Sequence, residues 1–157
     1  MDVQDVMNRR VVTVRVDQTL AEAMRILLDQ EINSAPVLDV DGNLVGMIGL
    51  KDGLRAPHPS REEVMVHRHT ALVERAQALR ETRVGAVMAR TVITVRPDTP
   101  AEEAAALMSN RGRHPLPVVE NGQIVGVVSR SDVIHALLNL TDQPSDPLPD
   151  SLFGRAR

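Results

Sequence analysis

No cysteine occurs among the 157 residues, which excludes disulfides, thiol nucleophiles and cysteine-ligated metals. Tryptophan and tyrosine are absent too, and Phe153 is the only aromatic residue. The interior must therefore be built from Val, Leu, Ile, Ala and Met, and stacking of nucleic-acid bases on aromatic rings is ruled out. Basic excess is also missing. The formal charge is −3, whereas a phosphate-backbone binder carries a positive footprint. Lys51 is the single lysine, and every other cationic side chain is an arginine. No apolar run approaches the roughly 20 residues of a membrane-spanning helix. The start "MDVQDVMNRR" has acids where a secretory signal needs a basic region, and no apolar segment follows. The expectation is a soluble cytoplasmic protein with neither nucleic acid nor membrane as a partner.

What the chain does have is itself, twice. "VMNRRVVTVRVDQTLAEAMRIL" (Val6–Leu27) lies over "VMARTVITVRPDTPAEEAAALM" (Val87–Met108) at a constant offset of 81 positions. "NSAPVLDVDGNLVGMIGLKD" (Asn33–Asp52) then lies over "HPLPVVENGQIVGVVSRSD" (His114–Asp132), with one residue lost at a turn. Pro36 meets Pro117, Gly46 meets Gly126 and Asp52 meets Asp132. Such duplication is the signature of two structural copies.

Each copy reads in one order. "VVTVRV" and "TVITV" are β-branched runs that predict strands. Leu20, Ala23, Met24, Leu27 and Leu28 form an apolar stripe at helical spacing, repeated as Ala101, Ala104, Ala105 and Met108. Thr19 with Glu22, and Thr99 with Glu102, predict capping boxes at the two helix starts. Two β-hairpins follow, turning at Asp41-Gly42 and Asn121-Gly122. The closing helix is clear in "SDVIHALLNL" and weak in "KDGLRAP", where Gly53 and Pro57 limit it. Glu62–Arg83 is mostly helical by pattern, with Leu72, Ala76 and Leu79 on one side.

A β-α-β-β-α unit of about 50 residues buries too little surface to stand alone. The two copies should therefore pack on each other as one α+β body with pseudo-twofold symmetry. The expected organisation is a first repeat over 1–56, a linker with a helix over 57–83, a second repeat over 84–140 and a disordered tail over 141–157.

The third strand of the second copy ends in "SRSD", Ser129 to Asp132, where a helix begins. Helix starts present unpaired N–H groups and favour anions. Ser129 and Ser131 can donate to phosphate oxygens, and Asp132 can accept both hydroxyls of a ribose. Equally, Ser131 or Asp132 can simply cap the helix, the commoner use of these residue types. Both roles can coexist.

The duplicated unit, with "APV"/"LPVV", the turn glycine, "VGMIGLKD"/"VGVVSRSD" and the terminal aspartate, resembles a tandem cystathionine-β-synthase (CBS) domain pair over Asp5 to Leu140. The resemblance implies two pseudo-twofold-related repeats packed through their sheets, commonly paired again into a homodimer. It implies adenosine ligands (AMP, ADP, ATP or S-adenosylmethionine) in the clefts between the repeats, with magnesium only alongside ATP and no obligatory cofactor. By position, the ribose aspartate falls on Asp132 and the phosphate-side hydroxyls on Ser129 and Ser131. The adenine wall falls on Val12, Ile32 and Asn33, with His114 at a phosphate-contacting position. The weaker second site would use Lys51 and Asp52, with Ile93 and Arg113 around the base. There Gly49 replaces Ser129, so a hydroxyl is missing.

His67 and His69 face apart on either a strand or a helix, and no third ligand lies near, so no metal site is expected. No catalytic spacing is evident, and the ordered polar cluster suits binding better than turnover. The expectation is a regulatory, non-enzymatic sensor of adenine nucleotide level that acts on an effector protein in trans. The alternative is a dimerisation or docking module that binds nothing small.

Overall fold

The computed structural model describes residues 1–55, 68–110 and 115–142, with 68–71 as backbone path only. The elements run α1 (Val3–Val6), β1 (Val14–Arg15), α2 (Leu20–Asp29), β2 (Ser34–Leu38), β3 (Leu44–Gly49), α3 (Leu50–Arg55) and α4 (Arg68–Glu81). They continue with α5 (Val84–Val87), α6 (Ala101–Asn110), β4 (Leu116–Glu120), β5 (Gln123–Val128) and α7 (Arg130–Thr141). The mixed α+β architecture is the expected one, built from two copies of the unit.

The first strands are far shorter than the β-branched runs predict. β1 pairs in parallel with β2 over two residues, Val14 with Val37 and Arg15 with Leu38. Its partner in the second copy shrinks to one bridge, Val95 with Val118. Proline accounts for both limits. The Val95 N–H donates to the Pro117 carbonyl at 3.0 Å, and the Val119 N–H donates to Val95 at 2.9 Å. Continuing upstream requires a donor at Pro117, or at Pro36 in the first copy, and proline has none. Downstream, the Val16 N–H reaches the Leu38 carbonyl at 2.9 Å. The matching residue in the second copy is Pro97, which cannot do the same.

The hairpins turn differently. Between Glu120 and Gln123 lie only Asn121 and Gly122, at φ 51° and 77°. That is a two-residue turn with both central residues left-handed, the geometry that matches strand twist. The extra residue of the first copy gives a loop over 39–43, with Gly42 at φ 82°. The Asp39 carboxylate organises it, accepting from the backbone N–H of Asp41 and Asn43 at 2.9 Å each and from Asn43 Nδ2 at 3.1 Å.

Helix starts also depart from the expected symmetry. Thr19 caps α2 as part of a full capping box with Glu22. Thr99 instead accepts from the Arg96 N–H at 3.0 Å, and α6 begins past Pro100, which matches Thr19 but has no side-chain oxygen. The second predicted box is therefore not formed. On α2, Leu20, Ala23 and Leu27 are buried, but Leu28 is 63% exposed, so the stripe is narrower than predicted. On α4 the inward residues are Ala78 and Leu79; Leu72 and Ala76 point to solvent.

Two apolar cores result, and each contains a piece of the other repeat. Val14, Leu20, Leu27, Val37 and Ile48 of the first copy close around Val84 and Met88 from α5 and its end. Val95, Met108, Leu116, Val118 and Val128 of the second close around Val3 from α1. The exchange is stitched by backbone. Asn8 and Val127 share two hydrogen bonds of 2.8 and 3.0 Å, and Met47 and Ala89 share two of 2.9 Å. Gly126 and Gly46 make room for it. A Cβ at Gly126 would lie 2.5 Å from Met7 Sδ, and one at Gly46 would lie 2.6 Å from Met88 Sδ.

Candidate functional site

Crossing α1 and α5 between the cores leaves two clefts along the seam, one per repeat. β5 ends at Val128 and hands over to α7, a 12-residue helix whose N-cap is Ser129. The cap is a reciprocal box. Ser129 Oγ accepts from the Asp132 N–H at 3.3 Å and donates to Asp132 Oδ2 at 2.7 Å, while the Ser129 N–H donates to that same Oδ2 at 2.7 Å. The capping residue is thus Ser129, not Ser131 or Asp132 as the sequence suggested. Asp132 Oδ1 and the N–H groups of Arg130 and Ser131 have no partner among the described residues.

These groups open on a cavity of about 590 Å³. Ser129, Ser131 and Asp132 line one wall, and Val12, Ile32 and Asn33 line the other. Six of the residues picked out from the sequence are thereby brought together, half from each repeat. His114 and Arg113 lie outside the described residues. Val12 sits where parallel pairing has ended. Pro36 cannot donate to its carbonyl, and no other backbone N–H among the described residues does. Sequence reasoning missed Asn8 and Arg10, which also line this cavity.

The pseudo-equivalent cleft measures about 370 Å³ and gathers Lys51, Asp52 and Ile93, as the repeat predicts. Its carboxylate is held differently. Asp52 is only 6% exposed, with Oδ2 accepting from the Gly49 N–H at 2.8 Å and Oδ1 lying 3.9 Å from Arg55 Nη1. Gly49 has little space for the missing hydroxyl, since a Cβ there would meet the Asn33 carbonyl at 3.3 Å. Arg55 was not singled out from the sequence. Its spacing of four from Lys51 on α3 was the available signal. Ser34 and Pro115 line both cavities, so the clefts share a wall.

Both volumes fall within the range of about 300–1,000 Å³ usual for small-molecule pockets. Among the described residues no cluster of three or more His, Cys, Asp or Glu could hold a metal ion. No helix among them is long and apolar enough to cross a membrane. His135 is exposed on α7, and His67 lies outside the described residues.

Comparison with known proteins gives the same architecture. The chain is 32% identical over 155 residues to an uncharacterized protein of Methanocaldococcus jannaschii, covering 88% of this chain and 92% of that one. CBSX2, a CBS-pair protein from Arabidopsis thaliana, superposes with a TM-score of 0.76 at 25% identity, over 91% of this chain and 98% of its own. CBSX2 has also been solved in complex with AMP, and in that form matches at a TM-score of 0.70 and 25% identity over 89% of this chain and 98% of its own. The CBS domain pair of protein MJ0100, solved with 5′-methylthioadenosine and S-adenosyl-L-methionine, matches at 0.66 and 26% identity over 87% of this chain and 99% of its own. The CBS domain family itself matches twice, over residues 3–58 and 84–139, and the chain belongs to it as a tandem pair.

Proposed function

We propose that this CBS pair is a regulatory module that binds an adenosine ligand in the cleft beside Asp132 and has no catalytic activity of its own. The observation that carries the proposal is the gathering of Ser129, Ser131 and Asp132 against Val12, Ile32 and Asn33 across the seam. Asp132 Oδ1 would accept the ribose hydroxyls while Oδ2 stays in the cap. Ser131 and the unpaired N–H groups at the start of α7 suit a phosphate, while the Ser129 hydroxyl and N–H stay in the cap on Asp132 Oδ2. The Val12 carbonyl suits the amino group of adenine, with Ile32 supplying apolar cover. The adenosine compounds bound by CBSX2 and MJ0100 support this class of ligand.

Ligand bound this way touches both repeats, so it can shift the angle between them, and it does so only by its difference in affinity for the two arrangements. The change would pass to an effector protein in trans, in the cytoplasm. Ile134, Leu137 and Leu138 stand 51–54% exposed on α7 and favour a homodimer as the assembly that receives it. Magnesium would enter only with a triphosphate. Ser129 Oγ is committed to the cap, which argues against a nucleophile there.

Calorimetric titration with AMP, ATP and S-adenosylmethionine tests the proposal. Asp132→Ala should weaken binding far more than Asp52→Ala. Ligand at a hundredfold excess over Kd should stabilise the fold by about 2.7 kcal/mol. Silence with every ligand at millimolar concentration, and an unchanged melting temperature, would leave a docking module that binds nothing small.

A further inference from the structure

In the first repeat the end of α4 roofs α2 and α3. Ala78 and Leu79 pack on the first core, and a Cβ at Gly53 would lie 3.7 Å from Leu79 Cδ2 and 2.8 Å from Met24 Sδ. The Leu20 N–H donates to the Thr82 carbonyl at 2.9 Å, which ties the roof to the start of α2. The second repeat has the same seat. Met24 matches Ala105, and Gly53, which follows Asp52, matches Val133, which follows Asp132. Thr82 matches Met1, whose carbonyl accepts from the Ala101 N–H at 3.1 Å. No described element takes the place of α4 there. The seat is instead an apolar groove of about 320 Å³, lined by Val6 of α1, Ala105 of α6, and Val133, Ala136, Leu137 and Leu140 along α7. Leu137 and Leu140 both stand half-exposed in it.

We infer that this groove is the docking site of the chain's own C-terminal segment, residues 143–157, with Leu152 and Phe153 seated between α1, α6 and α7 as Ala78 and Leu79 are seated in the first repeat. That segment lies outside the described residues and reads "QPSDPLPDSLFGRAR". The groove begins where the segment leaves, since Leu140 lines its near end and Val133 lies about 10 Å back along α7. From Asp142 to Leu152 an extended chain spans about 33 Å, so length is no obstacle. Pro144, Pro147 and Pro149 cannot continue α7, and their fixed φ lowers the entropy lost on docking. Charge agrees as well. Asp2 and Glu102 stand in the lining with no Lys, Arg or His beside them, and Arg155 and Arg157 follow the apolar pair. A tethered segment also meets the groove at an effective concentration in the millimolar range, which favours it over a second copy. Ile134 and Leu138 lie about a third of a turn around α7, so the homodimer face stays open.

Phe153 is the single phenylalanine, so nuclear Overhauser contacts from one ring to methyl groups read the docking directly in the full chain. The ring should contact methyls of Val6, Val133 and Leu137, and the contacts should persist on dilution. Ala105→Met, which puts the first repeat's residue into the groove, should remove most of their intensity. Phe153→Ala should shift the Val6 and Val133 methyl signals and leave Ile32, in the Asp132 cleft, where it was. A ring without these contacts, or one that touches only Ile134 and Leu138, would overturn the inference. So would contacts that survive Ala105→Met unchanged. Mixing methyl-labelled with unlabelled chains covers the other occupant: contacts that cross between chains would give the groove to a second copy and overturn the inference too. No nucleotide is added in any arm, so none of these results bears on the cleft proposal.

Discussion

A single carboxylate can be structural through one oxygen and available through the other, and Asp132 is built that way. Oδ2 takes two donors from Ser129, and Oδ1 faces none. Asp52, at the same place in the repeat, is enclosed instead, and a glycine rather than a serine precedes its helix. Asp39 shows the purely structural use. Hydrogen bonds from Asn43, first from its backbone and then from its side chain, hold the Asp39 carboxyl below the usual carboxylate range. A depressed folded-state pKa contributes stability that is present above the unfolded value and lost as pH falls through the folded one. Asp39→Ala should therefore lower Tm near neutral pH, and the gap to wild type should close as pH falls below the unfolded carboxylate's roughly 3.9 and through the lower folded-state value. Thermal melts across that range check it; a gap that persists in acid would place the effect outside the carboxylate. At this scale the sequence is informative. Ser129 and Asp132 are legible from residue type and position, whereas Asp39 is not singled out at its turn, and which serine caps α7 depends on where the helix starts.

Elements were legible in kind and less so in extent. The repeat predicts the strands and helices of the β-α-β-β-α unit but not the leading turns α1 and α5. The first strands are cut short by Pro36 and Pro117 on the neighbouring strand, outside any local window, and in the second copy by Pro97 just downstream. The predicted Thr99–Glu102 box fails because Pro100, not Thr99, takes the position of Thr19. On α4, apolar residues at 71, 72, 73, 76, 78 and 79 surround the helix, so spacing alone cannot say which side is covered. Glycines on the third strands carry a clearer message. At Gly46 a Cβ would lie 2.8 Å from the Ala89 carbonyl, backbone tied into the Met47–Ala89 bridge. At Gly126 the nearest atom is the flexible Met7 Sδ, with the Asn8 carbonyl at 3.2 Å. Gly46→Ala should cost about 1–3 kcal/mol and Gly126→Ala less, as denaturant unfolding will read. The reverse order would mean that methionine, not backbone, limits the approach.

For the molecule as a whole, α1 and α5 are single turns that the sequence reading did not pick out, and nothing local says which core receives them. Amphipathic spacing gives a face, and the choice of partner is topology. Val3 belongs in chain order to the first repeat and in space to the second, fully buried there. Val3→Ala should lower global stability by about 2 kcal/mol. The lost protection should appear first in β4 and β5 rather than in β2 and β3, as native-state hydrogen exchange would show. Loss confined to the first repeat would contradict the exchange of helices.

That exchange also bears on origins. Were one repeat made alone, its leading turn would have no seat, and its own seat would be empty. Two identical copies could trade leading turns about a rotation axis, each completing its twin, as in a domain-swapped dimer. Residues 84–142 expressed by themselves would then order only as such a twin, with helicity that grows on concentrating the sample. Joining the twins into one polypeptide freed each half to drift. A lone acid could sink from view on one side and stay reachable on the other, a divergence closed to partners copied from a single gene.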